Sequence, residues 1–329
     1  MLPTAWSTRA FGASRTTLMV ATPAIPLTGQ PAIEPIAKRR PSAGIWSNAL
    51  TRVRHDHVTL VSVITLGILI VLALLADVLS INVFHYGVTR QDLLNNYTPP
   101  TFGEPAFWLG SDDLGRSEIV RLLYGARVSL AVGIGAAIIN LTIGLSLGVT
   151  AGFVQGWFDD FVQFVISTLS SIPRIPLLLI VAVLFSPGPV TLVIILGLLT
   201  WPSASLFVRG QTLSLREREF VSAARVAGAS NARIMLWHIL PNILPLVFVL
   251  TAIDVGGLIL LESGLSYLGF GISPPTPSWG NMLTRATQDL SRGPWLVYAP
   301  GVAIFVTVLC LYLIGDGLRD ALDPRLNRN

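Results

Sequence analysis

Long apolar runs, each cut off by a short polar stretch, dominate the chain from about Val58 onward. A hydrocarbon core about 30 Å thick is crossed by roughly 20 apolar residues in helical form. Six stretches meet that requirement: Val58–Leu79, Val128–Thr150, Phe158–Phe185, Val190–Val208, Pro241–Leu261 and Leu296–Ile314. Helices are predicted for all six, because backbone exposed to lipid must satisfy its own hydrogen bonds. Pro173 and Pro176 interrupt the third stretch, and the Ser186-Pro187-Gly188-Pro189 turn makes the third and fourth spans antiparallel neighbours. The predicted fold class is therefore all-α, a polytopic membrane protein with six transmembrane helices. No repeat of the two halves is visible, which disfavours folds built from inverted repeats.

Composition strengthens this picture. Of 329 residues, 52% are hydrophobic and only 12% charged, against about 25% charged in average soluble domains. The net charge of +4 is no nucleic-acid signal, because the arginines cluster beside the ends of the apolar runs. Lys38, Arg39, Arg40, Arg52 and Arg54 precede the first run. Arg209, Arg216, Arg218, Arg225 and Arg233 lie between the fourth and fifth, and Arg319, Arg325 and Arg328 follow the sixth. With six spans all three groups fall on one side, which the positive-inside rule puts in the cytoplasm together with both termini.

The expected organisation is a disordered cytoplasmic tail over 1–51, then a first transmembrane helix and external loop over 52–125. A core of five spans over 126–316 contains a cytoplasmic loop at 209–237, and a cytoplasmic tail occupies 317–329. The first tail is rich in Pro, Ser, Thr and Ala and free of acids up to Glu34; it weakly imitates an organellar transit peptide, but a plain tail is the expectation.

The loop REREFVSAARVAGASNARIMLWHILPNILP, Arg216 to Pro245, is the most informative segment. Phe220, Ala223, Ala224 and Ala227 form one face of a helix, with Arg218, Ser222 and Arg225 on the other. Gly228 permits a sharp turn, and a second short helix leads to Pro241 at the first turn of the fifth span. Composition leaves two readings open, a small-residue face for a partner or a helix lying on lipid. The loop resembles the EAA loop of ABC importer permeases: Ala223, Ala224, Gly228, Leu240 and Pro241 match at the right spacings, while Ser222 replaces the glutamate and His238 the isoleucine. In that family the loop docks on the ATP-binding subunit. The resemblance thus implies a coupling role for Glu219, Ser222, Ala223, Ala224, Arg225 and Gly228, with Glu219 able to stand in for the missing glutamate.

Three further runs, LGSDDLGRSEIVRLLYGARVSLAVG, LILLESGLSYLGFGISPPTPSWGNML and GDGLRDALDPRL, resemble permeases of dipeptide- and oligopeptide-type importers, specifically the second of their two permease subunits. The resemblance covers Trp108 to Arg325. It implies the type I importer permease fold, a heterodimer with a sister permease, two ATP-binding subunits and an extracytoplasmic solute-binding protein. It also implies a bacterial or archaeal cytoplasmic (inner) membrane location. Relatives of similar sequence carry nickel, glutathione or sugars, so the solute stays open; a secondary transporter or channel is the distant alternative. No G-x-x-x-x-G-K-[ST] run is present, so ATP hydrolysis is expected on partner subunits and the chain is not read as an enzyme. No catalytic residue, cofactor or metal site is expected.

The remaining polar residues have their own readings. Ser111 is expected to cap a helix, with Asp112 and Asp113 at its positive end; a metal site there lacks further ligands. Pro275, Pro277 and Trp279 lie in a stiff external segment, read as an outer gate, a binding-protein contact or simply a rigid cap. Cys310 is read as a packing residue. Inside the spans stand Arg174 and Asp254, with Glu262 at an outer end. Ionisable residues are expensive in lipid and face a partner or a cavity, so these three are candidates for the translocation pathway. Counted from the cytoplasmic ends at about 1.5 Å per residue, Arg174 lies about 24 Å and Asp254 about 20 Å along their spans, a depth at which they can meet.

Overall fold

A computed structural model describes residues 53–185 and 188–322. The expected tail over 1–51, residues 323–329 of the expected final tail and residues 186 and 187 of the proline turn lie outside the described residues. The elements are α1 (His57–Leu74), α2 (Ala76–Asn82), α3 (Glu118–Val154), α4 (Trp157–Ser171), α5 (Arg174–Leu184) and α6 (Pro189–Arg216). There follow α7 (Glu219–Val226), α8 (Asn231–Ile234), a π-helical turn (Met235–Ile239), α9 (Leu240–Tyr267), α10 (Trp279–Met282), α11 (Ala286–Asp289) and α12 (Trp295–Leu322). No strand occurs among the described residues.

Five helices are long and apolar enough to cross a membrane: α1, α3, α6, the continuous Asn231–Tyr267 rod and α12. The α4–α5 pair passes the same test jointly but is bent by 88°. Contacts show what this pair does. On α3, Gly135 faces Val193, Gly144 faces Ala204, Gly148 faces Ser205 and Val208, and Gly152 faces Thr212. Both numbers rise together, so α3 and α6 run parallel. Between them the chain must return the length of the bundle, and α4 and α5 carry it back. Asp159, near the start of α4, binds Arg209 through two hydrogen bonds of 2.6 Å. Further on, Arg174 at the start of α5 reaches Ser203 at 3.3 Å. The bent pair therefore makes one crossing, the sixth.

The bend is sharper than an interrupted helix would suggest, and its cause is local. Ile172 and Pro173 adopt extended backbone, and α5 restarts with Pro173 as its cap and no side-chain capping bond. Residues 171–176 are exposed on this subunit, and broken helices are tolerated at membrane depth only where other protein or a cavity covers them.

Helix ends also depart from the hydropathy-based limits. α3 begins at Glu118, ten residues before the expected Val128, because Ser117 caps it by accepting a hydrogen bond from the Val120 N–H. Ser111 caps no helix. Instead the Asp112 carboxylate accepts from the Leu114 and Arg116 amides at 3.0 and 2.9 Å and from Arg116 Nε at 2.6 Å, closing a tight turn. Pro241 does not open the fifth span either: the helix is continuous from Asn231. The π-turn just before Pro241 widens the helix where proline cannot donate to the preceding turn, and Asn242 Nδ2 donates to the His238 carbonyl at 2.6 Å.

The central core joins α3, α5, α6, α9 and α12 through Leu130, Ala136, Leu178, Leu196, Ile259 and Ile304. α1 is peripheral, with 17% of its apolar window buried against 33–44% in the other long helices, so most of its surface is left for lipid. At one end of the bundle, the capped end, the segments around 83–117 and 268–294 interlock: Tyr97 Oη donates to Asp289 at 2.9 Å, Arg285 pairs with Asp113, and Trp295 Nε1 donates to the Ser111 carbonyl at 3.1 Å. At the other, the hairpin end, α7 and α8 sit on the tips of α3 and α6.

Candidate functional site

The hairpin end is built on apolar anchors. Val221 on α7 and Ile234 on α8 are fully buried against Val149, Phe153, Val208 and Ile239. The turn between α7 and α8 is a Schellman motif: the Gly228 N–H donates to the Arg225 carbonyl and the Ala229 N–H to the Ala224 carbonyl, each at 3.0 Å, with Gly228 at φ +82°. That left-handed conformation favours glycine. The sequence pattern put Phe220, Ala223, Ala224 and Ala227 on one face. Here Val221 and Ala224 turn inward, while Phe220, Ala223 and Ala227 face outward with Glu219, Ser222 and Arg225. Val226 is 91% exposed and Trp237 74%. The result is a small-residue, partly apolar surface held on a firmly packed base.

Midway along the bundle, Asn140, Arg174, Thr200, Ser203, Asp254 and Gly257 line a cavity of about 150 Å³. A second cavity of about 210 Å³ lies on the other side of Arg174, beside Pro173, Pro202 and Ser203. Asn140 Nδ2 donates to Asp254 at 3.5 Å, the limit of a hydrogen bond. Among the described residues Arg174 and Asp254 form no ion pair within 4.0 Å. The structure thus brings these two to one cavity and adds Asn140, Thr200 and Ser203, which sequence reasoning missed. A lone asparagine within an otherwise apolar span was the available signal.

Glu262 is elsewhere. It is fully buried near the capped end, accepting from Ser129 at 2.9 Å, Ser266 at 2.7 Å and Ser263 at 3.4 Å. Those serines in turn accept backbone amides of the capping segment: Trp279 N donates to Ser129 Oγ at 3.2 Å and Ile272 N to Ser266 Oγ at 3.0 Å. Glu262 is a clamp for the cap. Trp279 lies beneath it, 1% exposed, its indole donating to the Leu122 carbonyl at 3.1 Å. Pro277 is buried as well, and of the three candidate gate residues only Pro275 is exposed. Around the cap, the Asp113 carboxylate raises the pKa of Arg285, and burial with the Asp289 contact pushes the Tyr97 phenol above its ordinary value.

Replacing Glu262 with alanine removes the shared acceptor of three serine hydroxyls. A loss of about 3 kcal/mol is expected, since buried partners of a removed group are left unsatisfied. Glu262→Gln, which keeps one carbonyl acceptor, should lose about 1 kcal/mol. Thermal unfolding in detergent reads both; equal stability of Glu262→Ala and the parent would rule out the clamp.

Among the described residues no group of three or more His, Cys, Asp or Glu side chains could hold a metal ion. What the geometry offers is an exposed small-residue surface at one end, a polar cavity at mid-depth and a tied-down cap at the other end. The binding-protein-dependent transport system inner membrane component family matches residues 144–328. The chain is 34% identical over 295 residues to the oligopeptide transport system permease protein OppC of Bacillus subtilis, covering 90% of this chain and 94% of that one. It is 37% identical to OppC of Haemophilus influenzae over 281 residues, 85% and 89% of the two chains. It is 36% identical to the glutathione transport system permease protein GsiD of Escherichia coli over 304 residues, 91% and 96%. With a matched domain that holds the hairpin end, α9 and α12, this multi-pass membrane protein belongs to the family of binding-protein-dependent transport system inner membrane components.

Proposed function

We propose that the chain is one of two permease subunits of an ATP-driven importer for di- or oligopeptides. It forms half of the translocation pathway and is driven by ATP hydrolysed on two separate subunits. The outward face of α7 carries this reading. Phe220, Ala223 and Ala227 stand on a base fixed by Val221 and Ile234, as a surface must if it is to pass force to the bundle without yielding. Arg174 is exposed on this subunit, and a charge at that depth is too costly to face lipid. A sister permease covering that side supplies the missing wall and encloses a pathway lined by Arg174 and Asp254.

The hairpin end, flanked by the arginine-rich segments, is then cytoplasmic, as are both termini. The capped end faces the solute-binding protein, with Pro275 on its surface, and the membrane is the cytoplasmic membrane of a bacterium or archaeon. The division into a tail over 1–51, a first span with external loop, a five-span core and a short final tail belongs to the same reading. Similarity to GsiD favours glutathione, itself a peptide, as a second candidate solute.

The test is reconstitution. The purified subunit is expected neither to bind nor to hydrolyse ATP, while ATP-dependent peptide uptake appears only with the sister permease, ATPases and binding protein present. Robust hydrolysis by this chain alone would sink the assignment.

A further inference from the structure

The mid-depth cavity has the charge layout of a peptide's two ends. α5 restarts there, so the first-turn N–H groups of Arg174 and Ile175 have no intrahelical acceptor, and no side chain caps them. A helix N-terminus carries about half a positive charge, and here the guanidinium of Arg174 stands on the same turn. Two positive features thus converge without an anionic side chain within 4.0 Å among the described residues. Among the described residues only Ser203 receives a hydrogen bond from Arg174, at 3.3 Å.

Across the same cavity lies Asp254, held by one long contact from Asn140. Asn140 itself is 4% exposed, and its Oδ1 has no hydrogen-bond partner. A buried carbonyl oxygen left without a donor costs stability, so an acceptor is waiting for an N–H group beside the one carboxylate of the cavity. Anion-seeking and cation-seeking sides therefore face a common space whose other walls are the small Thr200, Ser203 and Gly257 and the apolar Leu258 and Leu261.

We infer that the space between Arg174, Asp254 and Asn140 is a transient binding site for a zwitterionic peptide, the α-carboxylate at Arg174 and the first turn of α5, the α-ammonium at Asp254 and Asn140 Oδ1. This rests on the reading of the chain as a peptide permease. It adds selectivity inside the membrane to whatever the solute-binding protein selects.

The complete transporter in proteoliposomes tests it, with an alanine tripeptide as probe, free at both ends, C-amidated or N-acetylated. Binding-protein occupancy is matched for the three by separate titration. The wild type should carry the free peptide about tenfold faster than either capped form, the discrimination expected when a polar site loses its charged partner. Arg174→Gln should abolish the preference against the amide alone, and Asp254→Asn the preference against the acetyl form alone. Uniform slowing of all three peptides in assembled variants would overturn the inference, leaving a structural role for both residues.

If neither variant assembles, Ser203→Cys in a Cys310→Ser background gives a second readout. Free tripeptide should slow thiol labelling, and equal protection by the capped peptides would overturn the site. A wild-type complex that carries no peptide removes the peptide reading and this site together, whereas uptake with uniform losses removes this site alone.

Discussion

Gly148→Leu is expected to leave no stable subunit in the membrane. On α3, Gly144, Gly148 and Gly152 recur every fourth residue and lie against α6, the arrangement by which small residues let transmembrane backbones approach. A Cβ placed on Gly148 would already come within 2.7 Å of the Ser205 carbonyl oxygen and 2.8 Å of Val208 Cβ, and one on Gly152 within 2.9 Å of the Arg209 carbonyl. Backbone atoms of a packed helix cannot swing aside, so the helices must separate along their whole seam. Overpacking in a formed core typically costs 1–3 kcal/mol; with a leucine against main chain the expected cost exceeds about 4 kcal/mol.

Gly210→Leu, on α6 itself, is the matched control. A Cβ there meets nothing within 4 Å, so little change is expected. Yield and thermal unfolding in detergent compare the two. Similar stability for both variants would show that the glycine seam is not what joins α3 to α6.

Gly228→Leu should remove transport while leaving insertion and folding intact. Leucine at φ +82° carries the left-handed penalty of about 1–2 kcal/mol, too little to unfold a subunit anchored by Val221 and Ile234 but enough to break the Schellman turn. α7 would then present Glu219, Ser222, Ala223 and Arg225 at the wrong angle, and the variant is expected to lose its ATPases on co-purification, with uptake down more than about tenfold. Gly228→Asn refines the test. Asparagine tolerates the left-handed region, and a Cβ at this position meets no atom of this chain within 4 Å. Retained uptake in Gly228→Asn assigns the defect to backbone geometry; loss in both variants assigns it to close approach by the partner. Normal assembly and uptake in Gly228→Leu would exclude α7 as the coupling element.

These expectations show where sequence was informative. Apolar run length found every crossing, because the cost of unsatisfied backbone in lipid leaves helices little alternative. Helix ends were missed for the same reason: Glu118 and Arg121, or Arg209 and Arg216, look like loop to a hydropathy scale although they continue α3 and α6 beyond the apolar part. The proline pair announced a break after Ser171, but the pattern of residues did not give its 88° angle.

On α7 the helical period was readable, yet Val221 and Ala223 are both apolar, so period alone could not say which looks inward. The glycine repeat was plainly legible as G-x-x-x-G and was overlooked. Arg174 and Asp254 could be singled out by their cost in lipid, whereas Asn140 and Ser203, separated from them by tens of residues, are joined to them only by the fold. Glu262 was drawn into the same group by charge alone, and its serine partners put it with the cap.

The π-turn before α9 has a mechanical side. Because the helix never stops between Asn231 and Tyr267, α7, seated on the tips of α3 and α6 through Val221, is joined to two stiff rods by only a few residues at either end. One is α6, which reaches Ser203 about 20 Å from Arg216; the other is the Asn231–Tyr267 rod, which reaches Asp254 about 30 Å from Ile234. On the proposed reading of α7 as the coupling element, a push on it would arrive at opposite walls of one chamber through arms of unequal length, as in a pair of tongs with an offset pivot. Thr200 and Ser203 would then shift by a different amount from Asp254, and the width of the chamber would read out mechanically where α7 sits.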